Sequence, residues 1–277
     1  FGGDNAARGY LLVTVLYGGI FTLCHWFCFA KTKEVVQPPK RESVSLKTQF
    51  RAAAQNRPYL IALTGQFLFG VTLYGRNADL LYYFKYVEGN ENLFTVYSMI
   101  LIIPSILGAA AFPFVFEKLG NKGHTAALFS AGTGVSLIAL YFFSAVTAPV
   151  PFYAFAALSQ FFFCGFNTAI YAIVPDCVEY GEWKTGVRND GFQYAFVSLG
   201  NKLGMAIGTS ALAGVLGALQ FAPNQAQNPA VQTAMHWAFS LIPGVLWLVT
   251  AAVLFFYRIS KRSYNRIMAE LNAKKTV

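Results

Sequence analysis

Seven apolar segments separated by polar linkers set the pattern of this chain. They run over 9–29, 58–86, 93–116, 125–143, 152–173, 191–219 and 234–257. Each approaches or exceeds the roughly 20 residues that a helix needs to cross a hydrocarbon core of about 30 Å. None alternates with period two, which argues against a transmembrane barrel. Helices are predicted, because backbone facing lipid must satisfy its own hydrogen bonds.

The linkers alternate in character. The linker 31–57 is long and basic and contains Pro38-Pro39, whereas 88–92 has no basic residue. Charge returns in Glu117, Lys118 and Lys122, is absent from 148–151, and returns again between Asp176 and Arg188. The linker 221–229 is uncharged, and the tail from Arg258 onward is basic. Lys and Arg on every second linker place those linkers and the tail in the cytoplasm. An odd number of spans then starts outside and ends inside.

The longest linker falls one span before six others. That is where a twelve-helix transporter joins its two six-helix halves. The expected organisation is a last helix of an N-terminal half over 1–30 and a central cytoplasmic loop over 31–57. A six-helix C-terminal half follows over 58–260, then a cytoplasmic tail over 261–277. The stretch from Ser45 to Arg57 suits a surface amphipathic helix. The first residues, Phe1-Gly2-Gly3, carry no initiator methionine, and the expectation is that an N-terminal half precedes them.

Composition narrows the class. The chain is 56% hydrophobic and only 12% charged, against about 25% charged in soluble domains. Its net charge of +9 lies in linkers and tail between apolar spans, the distribution of a membrane protein and not of a nucleic-acid binder. Cys24-His25 and Cys28 sit inside an apolar span without a second ligand pair, which favours packing over metal.

Lys202 is the residue most in need of an explanation. It lies about 17 Å along its helix from Gly191, near mid-bilayer, where an ionised lysine costs roughly 2.5–3.5 kcal/mol on insertion scales. It needs a water-filled cavity or a carboxylate; a structural ion pair and a charge on an ion or substrate path are both open. Gly200, Gly204 and Gly208 form a small-residue ridge for close helix packing. Tyr194, Ser198, Lys202 and Thr209 occupy a separate arc of roughly 80°. On the preceding span Gln160, Cys164, Asn167 and Tyr171 share one face. Such amide and phenol groups suit a sugar, which offers hydroxyls and an apolar ring face; interhelical hydrogen bonding is the alternative. The second span carries Gln66, and near its outer end Arg76 and Asp79, i,i+3 neighbours able to neutralise one another in an outer vestibule or a structural pair. Gly70 and Gly75 could let that helix bend. On the cytoplasmic side Glu117, Lys118, Lys122, Asp176, Glu179, Glu182, Lys184 and Arg188 could latch helix ends in one conformation and release them in another, or form solvated loops.

The sequence PDCVEYGEWKTGVRNDG from Pro175 to Gly191, with Lys202 in the glycine-rich helix beyond it, resembles the glycoside–pentoside–hexuronide:cation symporters. These are the sugar transporters related to the melibiose permease, within the major facilitator superfamily. Further similarity lies in Phe29-Ala-Lys-Thr-Lys-Glu34, Arg57-Pro58, Tyr82-Tyr-Phe-Lys-Tyr86 and Phe116-Glu-Lys-Leu-Gly-Asn-Lys122. The resemblance implies an all-α membrane protein of major facilitator fold, spanning helix six to the C-terminus. It places Lys202 at the helix-eleven lysine that lies near the cation site in the melibiose permease. The family's cation-binding and main sugar-binding acids lie on helices two and four, outside this stretch.

The expected function is cation-coupled symport, with Na+ or H+, of a glycoside, pentoside or related sugar by alternating access. The expected partners are the sugar, the lipid bilayer and the N-terminal half of the same transporter, with no nucleic acid and no cofactor beyond the coupling cation. The expected location is the bacterial inner membrane. A membrane scaffold or channel-like subunit is the alternative, against which the midplane lysine and the polar helix faces count. No catalytic cluster, metal quartet or phosphate loop points to an enzyme.

Overall fold

The computed structural model describes residues 5–33 and 45–275. Among the described residues the fold is helical, with one isolated bridge between Asn121 and Ser260 and no strand. Pro38-Pro39 and Glu34, called in the central loop and the sixth-helix motif, lie outside the described residues. The chain forms two compact units, Phe1–Ser43 and Val44–Val277.

The first unit holds α1 (Ala6–Lys31), capped by Asn5, whose side chain accepts from the Arg8 N–H. The second unit opens with a short helix α2 (Leu46–Ala54), apolar on one face with Ala52 and Ala53 buried. Then come α3 (Arg57–Tyr82), which runs into a π turn at Tyr83–Val87, α4 (Asn92–Ile100), α5 (Ile102–Leu119), α6 (Lys122–Leu140) and α7 (Pro149–Thr185). They are followed by α8 (Asp190–Ala218), α9 (Pro229–His236) with a second π turn at Trp237–Leu241, α10 (Ile242–Phe255) and α11 (Lys261–Lys275). α4 and α5 form one rod, as do α9 and α10. Among the described residues five rods are long and apolar enough to cross a membrane; α3 and α8, at 26 and 29 residues, are long enough but more polar.

Asparagines and glycines set the helix boundaries. Asn56 accepts from the Tyr59 N–H and donates to the Cys177 carbonyl at 2.7 Å, so one side chain caps α3 and ties it to α7. Asn121 caps α6 in the same way and donates to the Tyr257 carbonyl. α5 and α7 end on Gly120 and Gly186, both left-handed at φ 62 and 69, where a side chain would be strained.

The charged stretch from Asp176 is not a loop, as its composition suggested. α7 continues through Pro175 and carries Asp176, Glu179, Glu182 and Lys184 on helix as far as Thr185. Proline inside a helix removes one hydrogen bond; in the turn before it the Lys122 ammonium donates to the Ala172 carbonyl at 3.1 Å. The tail is likewise a helix, with Ile267 and Leu271 of α11 buried and Trp183 donating to Glu270 at 2.6 Å.

Lipid is as apolar as leucine, so packing within a bilayer depends on close fit. α3 and α8 meet backbone to backbone. A Cβ on Gly70 would strike the Asn201 carbonyl, and one on Gly204 or Gly208 would strike the carbonyl of Phe67 or Val71. The glycine ridge on α8 therefore packs as expected, and Gly70 and Gly75 receive it; their role is close approach. The remaining helices pack through aromatic rings, with Phe69, Phe166 and Trp247 at the centre. Toward the opposite end from Arg188, Tyr83 and Phe239 stack at 3.9 Å, joining the two π turns.

Candidate functional site

The two more polar helices, α3 and α8, border an open cavity of about 590 Å³ together with α7. α3 contributes Gln66 and Tyr74; α7 contributes Tyr171 and Val174. α8 contributes Tyr194, Val197, Ser198, Asn201, Lys202 and Met205. The glycine ridge explains the arrangement. It clamps one face of α8 on α3, and its neighbouring face, with hydroxyls and the ammonium, is left along the opening.

The cavity's polar groups are largely unanswered from within the chain. Lys202 makes no hydrogen bond or ion pair with a described residue. Both amide atoms of Gln66, a residue with no exposed surface, lack a partner, as does the Asn201 amide nitrogen. Leaving buried donors and acceptors unmade costs roughly 1–3 kcal/mol each. The Gln66 amide atoms and the Asn201 amide nitrogen lie sealed behind the wall, whereas the exposed Lys202 ammonium and the rings of Tyr74, Tyr171 and Tyr194 offer a hydroxylated ligand a charge and apolar faces.

Other residues singled out from the sequence are distributed elsewhere. Gln160 lies in a separate cavity of about 190 Å³ with Arg76 and Asn77, and donates to Ser105 at 2.9 Å and Cys164 at 3.5 Å. Asn167 and Thr209 do not line the larger cavity; Thr209 donates to the Met205 carbonyl. Tyr74 and Asn201 are additions the sequence reading passed over. Tyr74 stands eight residues from Gln66, roughly 80° round the helix, so face arithmetic on α3 could have found it.

Arg76 and Asp79 do not form the expected pair. Arg76 donates from Nε to the Phe239 carbonyl at 2.8 Å and from Nη2 to the Tyr97 hydroxyl at 2.6 Å, with its guanidinium 4.7 Å from the Phe239 ring centre. Asp79 is fully buried and neither carboxyl oxygen has a hydrogen-bond partner. The i,i+3 spacing permits contact, but α9–α10 and α4 bring better-placed acceptors to the guanidinium.

At the end of the bundle that carries Arg188 the charges are paired. Lys122 meets Asp176 at 2.8 Å. Arg188 meets Glu179 at 2.9 Å, Glu182 at 2.8 Å and Asp190 at 2.9 Å. Burial opposes the Arg188 charge, but hydrogen bonds to Glu182 and Asp190 outweigh it and hold its pKa above the ordinary arginine value. Glu117 meets Lys261 at 2.6 Å, and Lys184 donates to the Gln55 carbonyl. Lys118 is exposed and joins none of these pairs. The Arg266 and Trp183 hydrogen bonds hold Glu270 below the usual carboxylate range.

Comparison with known proteins agrees with this picture. A family model described as MFS/sugar transport protein matches residues 1–261. The glucuronide carrier protein homolog of Escherichia coli is 29% identical over 91% of this chain and 55% of its own length. The isoprimeverose transporter of Lactiplantibacillus pentosus is 28% identical over 99% of this chain and 57% of its own. A putative sulfoquinovose importer of Salmonella typhimurium is 24% identical over 98% of this chain and 57% of its own. The chain thus spans a little over half the length of these relatives.

Proposed function

Because the chain belongs to the MFS/sugar transport protein family, whose members are transporters, we propose that it forms the C-terminal wall of a cation-coupled sugar symporter. It is a multi-pass protein of the bacterial inner membrane. The observation that carries the proposal is the cavity between α3, α7 and α8, with Lys202, Gln66 and Asn201 unpartnered on its wall. The substrate is a glycoside, pentoside or hexuronide, in keeping with the glucuronide and isoprimeverose named for the relatives.

In this reading 1–30 is the last helix of an N-terminal half and 58–260 the six-helix C-terminal half. The opposing half closes the cavity and brings carboxylates to Lys202. Ammonium, carboxylate and Na+ or H+ then compete for one another, which couples cation to sugar. Gln66, Tyr171, Tyr194 and Ser198 hold the sugar, and Gln160, Asn167 and Thr209 lie along or beside its path. The cytoplasmic pairs around Arg188 and Lys122 hold helix ends in one facing state and exchange partners in the other. Arg76 and Asp79 belong to the outer vestibule.

Counterflow in vesicles carrying the full-length protein tests the reading. Vesicles loaded with methyl β-D-glucuronide or isoprimeverose are expected to accumulate the labelled sugar, faster with Na+ or at low external pH. Absence of exchange for both sugars under every cation condition overturns it.

A further inference from the structure

The small outer cavity, lined by Arg76 and Gln160, has no defined task in the transport scheme so far. It lies between α3, α6, α7 and α10 and has a volume of about 190 Å³, room for about six water molecules, enough for one sugar ring and too small for a whole glycoside. Its relation to the larger cavity is regular. On α3, Gln66 lines the large cavity, and Leu73 and Asn77, on the same stripe within roughly 40°, line the small one. On antiparallel α7 the order is mirrored: Tyr171 lines the large cavity and Gln160, on the same face, the small one. Both pairs are separated by eleven residues, about 16 Å along a helix. Between them on α7 stands Asn167, whose amide oxygen is buried without a partner. On α7 a polar face thus runs from one cavity to the other, and on α3 the two linings meet at Leu73 and Tyr74.

The polar inventory of the small cavity is also specific. The Thr72, Thr133 and Ser159 hydroxyls donate to carbonyls of their own helices and remain acceptors. Gln160 spends its amide nitrogen on Ser105 and Cys164 and keeps its oxygen free. Arg76 Nη1 and the exposed Asn77 amide make no hydrogen bond with a described residue. Free donors from α3 therefore face free acceptors from α6 and α7, over an apolar floor that includes Trp247. A hydroxylated ring supplies both halves of each hydrogen bond.

We propose that Arg76, Asn77 and Gln160 form an outer sugar subsite, a second position that the substrate occupies between the periplasmic side and the Lys202 cavity. The two linings come within one residue of each other on α3, at Leu73 and Tyr74, so a sugar passes from one position directly to the next. This inference rests on the transport reading above and adds an asymmetry to it. A group that contacts sugar only on the outer approach matters for entry from outside and not for entry from inside.

The test uses the full-length protein in right-side-out and inverted membrane vesicles, with labelled methyl β-D-glucuronide and isoprimeverose as probes. Asn77→Leu is expected to raise KM from the periplasmic face about fivefold, the loss of one net hydrogen bond, and to leave KM from the cytoplasmic face unchanged. Asn77→Ala gives the same readout should leucine block assembly, and Asn77→Ser should recover part of the affinity. An equal change on both faces, or no change on either, overturns the outer subsite while leaving the transport reading intact. Failure of the wild-type vesicles to accumulate either probe overturns the transport reading and the subsite with it.

Discussion

The Arg188 end and the middle of the bundle treat charge in opposite ways. At the first, the Arg188 guanidinium meets three carboxylates within 3 Å, and Lys122 and Lys261 each have an acid of their own. In the middle Lys202, Gln66 and Asn201 stand around a cavity of about 590 Å³ without partners among the described residues. Polar groups that answer one another hold helices in place. Polar groups left unanswered in a bilayer are costly, and a partner or ligand from outside the chain would offset that cost.

The contrast makes predictions that separate the two regions, the strongest first. Lys202→Ala should lower cation-coupled uptake by roughly 10–100-fold, the worth of a charged hydrogen bond, with membrane levels and melting temperature unchanged. A fall in melting temperature comparable to that of an Arg188-end variant would make Lys202 a structural charge and erase the contrast.

Arg188→Gln, unlike the Lys202 variant, should lower stability. It leaves Glu179, Glu182 and Asp190 facing one another, with the first two only 15% and 14% exposed. Breaking a buried pair costs about 3–5 kcal/mol; with Arg188 itself 23% exposed, solvent screening reduces this to about 1–2 kcal/mol. Thermal unfolding in detergent measures it. A melting temperature equal to wild type would reduce the cluster to a solvated surface feature.

The smallest effect belongs to Glu270, at the edge of the paired region. Its partners are exposed Arg266 and the Trp183 ring nitrogen, and pairs of this kind contribute little. Glu270→Gln should leave both uptake and melting temperature at wild-type values. A large loss in either would mean that α11 is coupled to the helix ends more tightly than its contacts indicate.

Much of this contrast is legible in the sequence. Face arithmetic on α7 and α8 brings Tyr171, Tyr194, Ser198 and Lys202 together because those helices are regular and their polar residues few. The glycine ridge is visible for the same reason, since a four-residue spacing carries straight into three dimensions. Arg76 is different. The nearest acid in sequence, Asp79, is a plausible partner, but Phe239 and Tyr97 arrive from helices 163 and 21 residues away, and no local pattern records them. The charged stretch after Pro175 reads as a loop because proline and charge usually break helices. It stays helical where Lys122 and Arg188 neutralise it, and both partners are fixed by tertiary packing. Asn201 falls about 100° from Lys202 on the helix, off the polar arc, yet it lines the cavity.

The central claim is that the Lys202 cavity holds the sugar. Single cysteines at Ser198, on the cavity wall, and at Ser98, exposed on α4, can be alkylated in a cysteine-free background of the full-length protein. Saturating transported sugar should slow alkylation at position 198 severalfold and leave position 98 unaffected. Equal rates at position 198 with and without sugar, in vesicles that transport it, would contradict the account.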